Sequence, residues 1–316
     1  MGEIPTLSIV IPCYNEQEII DYTSKELLGF LDNLKSSKKI NDNSFLCFVN
    51  DGSKDDTWNC LLKIKSQNKN IKLLKLSNNF GHQSALIAGL NFVKDKCDCA
   101  VTIDADLQDD HVVIEQMIEK FNAGFEIVYG VRKKRKTDTF FKRITAKFFY
   151  KIMYLLGAKI VYNHADFRLL SNRAIDFLLS FKEVNLFLRG IVPTIGLKND
   201  IVYYDRKDRI AGETKYPLRK MLTFAFEGIT SFSIKPLRIV TFLGGIILLL
   251  SIFTGIYVIF SLLKGDVVQG WTSNFVSIWF FGGIQLLSIG IIGEYLGKVY
   301  KESKRRPIFF IEETVE

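Results

Sequence analysis

Over the first two hundred residues, apolar positions come in short runs, each closed by turn formers or charged residues. Leu7 to Ile11, Phe45 to Val49, Ile71 to Leu76, Ala100 to Ile103, Glu126 to Tyr129 and Ile201 to Tyr204 have strand length and aliphatic or β-branched content. Helical spacing follows Cys13-Tyr14-Asn15-Glu16 to about Lys35, runs from Asp55 or Asp56 to about Gln67, and returns over Ser84 to Val93; a further helix starts near His111. Strands alternating with helices predict an α/β fold, a Rossmann-like, mainly parallel, doubly wound sheet. Ligands of such sheets gather just outside the carboxyl ends of the strands, so the residues that close each run carry the chemistry.

After Arg238 the pattern changes. Ile239 to Leu263 is 25 residues without a formal charge and Phe275 to Gly293 another 19, separated by a segment with Lys264, Asp266 and Trp271. Each is long enough to cross a hydrocarbon core of about 30 Å, and neither has a polar face, so a two-helix transmembrane hairpin is expected. The expected organisation is a catalytic domain over 1–216, an interfacial amphipathic helix over 217–237, two transmembrane helices over 238–300 and a basic tail over 301–316. Lys235 and Arg238 before the first span, and Lys298, Lys301, Lys304, Arg305 and Arg306 after the second, outnumber the lone Lys264 between them. This bias places both termini and the large domain in the cytoplasm, at the plasma membrane of a bacterium. No apolar, cleavable segment precedes the first strand. Five cysteines, Cys13, Cys47, Cys60, Cys97 and Cys99, precede the spans, and an odd number in a reducing compartment argues against disulfides.

The richest run end is Val101 to Asp110, VTIDADLQDD. Asp104 and Asp106, two carboxylates one residue apart at the end of a buried strand, repel each other unless a cation lies between them. A hard divalent ion, Mg²⁺ or Mn²⁺, suits such oxygen donors and leaves positions for phosphate oxygens, with Gln108 as a further member of the shell. The plainer alternative is a solvated turn in which Asp109 or Asp110 caps the next helix. Two other strand ends face the same crevice: Asp51, placed to accept an N–H from a base, and Tyr14, placed to cover a base or ribose. Arg132 opens a run of five cations, and Phe140 to Leu156 interleaves aromatics with Lys142, Arg143, Lys147 and Lys151, as suits an anionic lipid surface or lipid phosphate. The net charge of +8 also admits nucleic acid, but no recognition motif accompanies it. Asp166 and Arg168 read either as a site acid or as a structural pair, and Arg209 and Lys215 flank Gly212 on a polar loop within reach of phosphate oxygens.

Six motifs in register give these residues a family likeness. Ile11-Pro12-Cys13-Tyr14-Asn15-Glu16, Asn50-Asp51-Gly52-Ser53, Asn79-Phe80-Gly81-His82-Gln83, Asp104-Ala105-Asp106-Leu107-Gln108, Asp166-Phe167-Arg168 and Arg209 to Tyr216 occur in the order seen in glycosyltransferase family 2. The chain resembles the polyprenyl-phosphate members of that family, and most of all the bactoprenol glucosyltransferases, relatives of dolichol-phosphate mannose synthase. The resemblance implies a GT-A fold and an inverting transfer of glucose from UDP-glucose to undecaprenyl phosphate, with another donor sugar (aminoarabinose, N-acetylhexosamine or mannose) as the alternative. It implies that Pro12, Tyr14, Glu16, Asp51 and Asp104 hold the nucleotide-sugar, that Asp104, Asp106 and Gln108 serve the metal, and that Asp106 and Asp166 are catalytic. Arg132, Arg143, Arg209 and Lys215 would meet acceptor or donor phosphates, and a homo-oligomer is compatible with it. Asn50 stands where the family often has a first Asp. A processive polysaccharide synthase lacks support, because no QxxRW motif is present. A membrane scaffold that has kept a dead transferase fold is a further reading, against which Asp104, Asp106, Asp166 and Lys215 speak.

Overall fold

The computed structural model describes residues 4–133, 164–183, 188–205, 235–263 and 270–316. Two compact units emerge, one of Met1–Tyr150, Lys159–Pro217 and Arg305–Glu316, the other of Lys151–Ala158 and Leu218–Lys304.

The first unit is built on a mixed eight-stranded sheet. In chain order its described elements are β1 (Leu7–Cys13), α1 (Ile20–Ser36), β2 (Phe45–Asn50), α2 (Thr57–Gln67), β3 (Ile71–Leu76), α3 (His82–Val93), β4 (Cys99–Thr102), α4 (Ile114–Asn122), β5 (Ile127–Arg132), β6 (His164–Ser171), α5 (Asn172–Ser180), α6 (Leu188–Thr194), β7 (Asn199–Tyr204) and β8 (Ile311–Val315). The strand order is β7-β5-β6-β4-β1-β2-β3-β8. β4, β1, β2 and β3 pair in parallel, as the alternation of strands and helices requires. β6 runs antiparallel to both β4 and β5, so the polar ends of β4 and β6 come from opposite chain directions.

β1 to β4 are each buried along most of their length, the condition that selects continuous apolar runs over alternating ones. Ile9 and Ile11 pack on one face with Leu27 and Leu31 of α1 and Met117 of α4. On the other face α3 lies so close that a Cβ on Gly89 would sit 2.4 Å from Val10 Cγ1 and 2.8 Å from Val49 Cγ2. Only glycine allows that approach, and it brings the start of α3 down to the strand ends. All five cysteines are free thiols, as expected.

One sequence expectation is corrected here. The segment read as a basic tail returns to the sheet: β8 pairs antiparallel with the edge strand β3. Lys75 meets Glu312 at 3.0 Å, Lys72 meets Glu316 at 3.8 Å, Lys96 pairs with the same Glu316, and Ser77 N–H donates to the Phe310 carbonyl at 3.0 Å. The cations of β3 attract the acids of Ile311 to Glu316, so a stretch too polar to read as strand covers an edge that would otherwise stay open.

The second unit contains two long helices, α7 (Lys235–Leu263, 29 residues) and α8 (Trp271–Ser303, 33 residues). Each contains one of the two uncharged runs. Phe242, Phe253, Ile278 and Leu286 are about 70% exposed, which puts large apolar side chains outside any protein core. Among the described residues one stretch, Phe280–Ser303, is by length and composition apolar enough to cross a membrane. Of the expected interfacial helix over 217–237, residues 217–234 lie outside the described residues, as does the basic, aromatic segment Phe140 to Leu156; residues 235–237 form the start of α7.

Candidate active site

Past the last ladder bond of β4 the chain enters a turn. Ile103, Ala105 and Leu107 are 1%, 4% and 5% exposed and anchor it in the core, while the intervening Asp104 and Asp106 are only partly buried. Three contacts hold the turn. Thr23 Oγ1 donates to the Ala105 carbonyl at 2.6 Å, Leu107 N–H donates to the Asp104 carbonyl at 3.3 Å, and Gln108 N–H donates to Asp106 Oδ1 at 3.2 Å. Leu107 adopts a left-handed φ of 47°, an unusual conformation for a branched side chain that the surrounding core maintains. Gln108 is 8% exposed, and its backbone N–H orients Asp106.

Burial in the crevice raises the Asp104 pKa, His82 opposes, and Asp109, Asp166 and Asp106 add repulsion, leaving it pushed up to about 6. Two carboxylates one residue apart are an oxygen-donor set suited to a hard divalent cation. Among the described residues no group of three or more His, Cys, Asp or Glu is placed to hold a metal ion.

Asp166, on β6, faces the same space. Arg168 Nη2 donates to its Oδ1 at 2.5 Å, and Arg189, on the first turn of α6, donates from Nη2 to Oδ2 at 3.1 Å and from Nε to Oδ1 at 3.4 Å. His82 Nε2 lies 3.8 Å from Asp166 Oδ2 and 3.4 Å from Asp104 Oδ1, bridging the two acids. Burial alone would raise the pKa of Asp166. Arg189, Arg168 and His82 outweigh it and hold the group well below the usual carboxylate range. Of the two readings of Asp166 and Arg168, the ion pair is present, and Arg189 joins it.

The nucleotide-side residues come together through loop-to-loop bonds. Asp51 is 2% exposed, with Oδ1 accepting Phe80 N–H at 2.8 Å and Oδ2 accepting Gly81 N–H at 2.9 Å. Gly52, at φ +61°, lies against the next loop so closely that a Cβ would be 2.3 Å from the Asn78 carbonyl carbon. Asn50 Oδ1 accepts Ser53 N–H at 3.2 Å, so the amide serves this turn where a carboxylate is often found. Asn15 and Glu16 are tied to the same loop: their N–H groups donate to Ser53 Oγ at 3.0 Å and Thr57 Oγ1 at 2.9 Å. Tyr14 stands at the rim, 39% exposed, and Pro12 is buried in β1 beside Val49.

Asp109 is a second correction. It is not a helix-start residue but a buried anchor, 1% exposed, whose Oδ1 accepts from Arg132 Nη2 at 2.9 Å, Arg132 Nε at 3.1 Å and Tyr204 Oη at 2.6 Å. Burial and Asp109 hold the Tyr204 phenol protonated, with its pKa well above the usual value. Arg132 thus ties the ends of β5 and β7 to the Asp104–Asp109 turn. Arg143, Arg209 and Lys215 lie outside the described residues.

Sequence reasoning passed over His82 and Arg189. His82 sits in a quoted motif directly after Gly81, where helix α3 begins. Arg189 is the only charge in the apolar run from Leu186 to Val192, and a lone cation among buried neighbours was the available signal.

Comparison with known proteins gives the family. The family model described as "Glycosyl transferase family 2" matches residues 8–179. The glycosyltransferase YkoT of Bacillus subtilis (strain 168) is 53% identical over 98% of this chain and 91% of its own. A prophage bactoprenol glucosyl transferase homolog of Escherichia coli (strain K12) is 40% identical over 97% of this chain and 98% of its own. The bactoprenol glucosyl transferase of Shigella phage SfV is 39% identical with the same coverage. With paired carboxylates at a parallel strand end and relatives matched almost end to end, the chain belongs to glycosyltransferase family 2.

Proposed function

We propose that this protein transfers glucose from UDP-glucose to undecaprenyl phosphate at the cytoplasmic face of a bacterial membrane, with inversion at the anomeric carbon. The product would be a lipid-linked sugar for modification of a surface glycan. The observation that carries the reading is the placement of Asp104 and Asp106 at the β4 end, joined through His82 to an acid that two arginines hold. The names of the relatives supply the sugar and the lipid, and the exposed apolar surface of α7 and α8 supports a membrane hairpin.

The residues divide the work. Asp104 and Asp106 would hold Mg²⁺ or Mn²⁺, which supplies charge stabilisation for the departing nucleoside diphosphate. Tyr14 and the loop braced by Asp51 would flank the nucleotide, with Pro12 and Glu16 shaping the floor and entrance of its crevice. A phosphate oxygen of the acceptor attacks the anomeric carbon as the bond to UDP breaks. That monoester has a second pKa of about 6 and is largely ionised at neutral pH, so no strong base is required. Asp166, kept ionised by its arginines, is poorly suited to take a proton and acts by position. Arg132, Arg143, Arg209 and Lys215 would bring phosphate groups to the carbon, a contribution of orientation.

Membranes containing the full chain, incubated with undecaprenyl phosphate and labelled UDP-glucose, UDP-N-acetylhexosamine, an aminoarabinose nucleotide and GDP-mannose, should yield one lipid-soluble product, from UDP-glucose. A product from a different donor would reassign the sugar, and no product with any donor would refute the function.

A further inference from the structure

The connection from β3 to α3, Ser77 to Gly81, is held from two directions. On one side Asp51 accepts the Phe80 and Gly81 N–H groups, and Gly52 lies against Asn78. On the other it meets the far end of the chain. Ser77 N–H donates to the Phe310 carbonyl at 3.0 Å, and the Phe80 and Phe310 rings lie with centroids 6.1 Å apart and planes inclined at 54°. That separation is within the range of attractive aromatic pairs. Phe310 directly precedes β8, whose ladder with β3 fixes its backbone, yet its side chain is 55% exposed and adds little to the core. What the loop carries gives the ring pair its consequence. Phe80 supplies one of the two N–H groups on Asp51, and His82, two residues on, has Nε2 3.4 Å from Asp104 Oδ1. A shift of Phe80 is therefore felt at the Asp51 strand end and beside the carboxylate pair.

We propose that Phe310 is a positioning residue of the donor site: acting through Phe80, it sets the loop that flanks the nucleotide-sugar, so a residue beyond both apolar helices takes part in donor binding. The inference rests on reading the crevice as a glycosyl-transfer site with the nucleotide at the Asp51 loop. Phe310 itself touches no substrate. Asp51 fixes the backbone of the loop and Phe310 restrains its aromatic side chain. A loop ordered before the donor arrives lowers the entropy cost of binding it.

The test uses the full chain in nanodiscs, as wild type, Phe310→Ala, Phe310→Leu, Phe310→Tyr and Glu312→Gln. Glu312→Gln is the control, because it removes the ion pair from β8 to Lys75, partly exposed on both sides, and leaves the two rings alone. Three quantities are read: the Kd of UDP-glucose with Mn²⁺ by calorimetry, the KM for undecaprenyl phosphate, and hydrogen exchange of peptides covering Asn78 to Leu86. Loss of the aromatic pair predicts that Phe310→Ala raises the Kd by about 3- to 10-fold and speeds loop exchange by a similar factor, with the KM for the lipid unchanged. Phe310→Tyr keeps the ring and should match wild type, Phe310→Leu should fall between, and Glu312→Gln should alter neither the Kd nor the loop. A wild-type Kd in Phe310→Ala, whatever its loop exchange, would make the contact a local brace and overturn the inference. An equal rise in Kd for Glu312→Gln would assign the effect to the whole strand and overturn it too. If Phe310→Ala does not fold, Phe310→Leu against Phe310→Tyr carries the same comparison. Should wild type bind a different nucleotide-sugar in place of UDP-glucose, the comparison is read with that donor. A wild type that binds no nucleotide-sugar would overturn the transfer reading, and this inference with it.

Discussion

Asp51→Asn tests whether the second strand end reads the nucleotide directly or braces the loop that does. In the wild type both carboxylate oxygens accept backbone N–H groups, from Phe80 at 2.8 Å and Gly81 at 2.9 Å, in a place that is 2% exposed. Hydrogen bonds to a charged acceptor are worth about 1.5–3 kcal/mol each. Asparagine keeps one acceptor oxygen, loses the charge, and turns an NH₂ group toward the second N–H, so two buried donors face each other. The net cost to the loop is about 2 kcal/mol, or roughly 30-fold faster exchange of the Phe80 and Gly81 amides when they open locally. Hydrogen exchange read by mass spectrometry on peptides covering Asn78 to Leu86 measures this. Peptides from β1 should be unaffected, and UDP-glucose affinity should fall in step with the lost protection. Unchanged exchange together with lost UDP-glucose binding would refute the bracing role and return Asp51 to direct base recognition.

Asp106→Asn should abolish turnover with an unchanged melting temperature, because the side chain serves the crevice and the core is held by Ala105 and Leu107; wild-type turnover would remove the carboxylate pair from the mechanism. Asp166 has a folded pKa below the unfolded value of about 3.9, so its stabilisation is present above that pH and lost as pH falls toward the folded value. Asp166→Asn should therefore flatten the acid limb of the stability curve, and a limb of wild-type slope would show that the arginines do not hold this acid. Removing the chain after Arg306 strips β8 from β3 along with its ion pairs and should lower the melting temperature by roughly 5–10 °C, as loss of a few net hydrogen bonds implies for a domain of this size. An unchanged melting temperature would mean that the strand contributes no stability.

β1 to β5 were legible because they are buried along most of their length, which selects continuous apolar runs; β7, partly exposed, was legible from its β-branched and aromatic content instead. Asp104 and Asp106 were legible because two carboxylates one residue apart close an apolar run. Asp109 was not, because its partner Tyr204 lies 95 residues further along the chain and local reading offers only the neighbouring helix. Arg189 depends in the same way on β6 and α3, and β8 on the lysines of β3, so its own acids read as a tail. Pairings that form across distant strands are set by topology, and nothing within a short window encodes them.

The return of β8 also fixes an order of assembly. Lys75 and its partner Glu312 stand 237 residues apart, and both α7 and α8 lie between them. On the ribosome, β3 is made long before its outer neighbour, so its hydrogen-bonding edge must wait, unpaired, until both apolar helices have been synthesised. A lesion that stalls the helices would therefore be felt first in the sheet, as a sticky edge open to other nascent chains. Completion of the two apolar helices and solubility of the sheet-bearing unit are, for this chain, one problem.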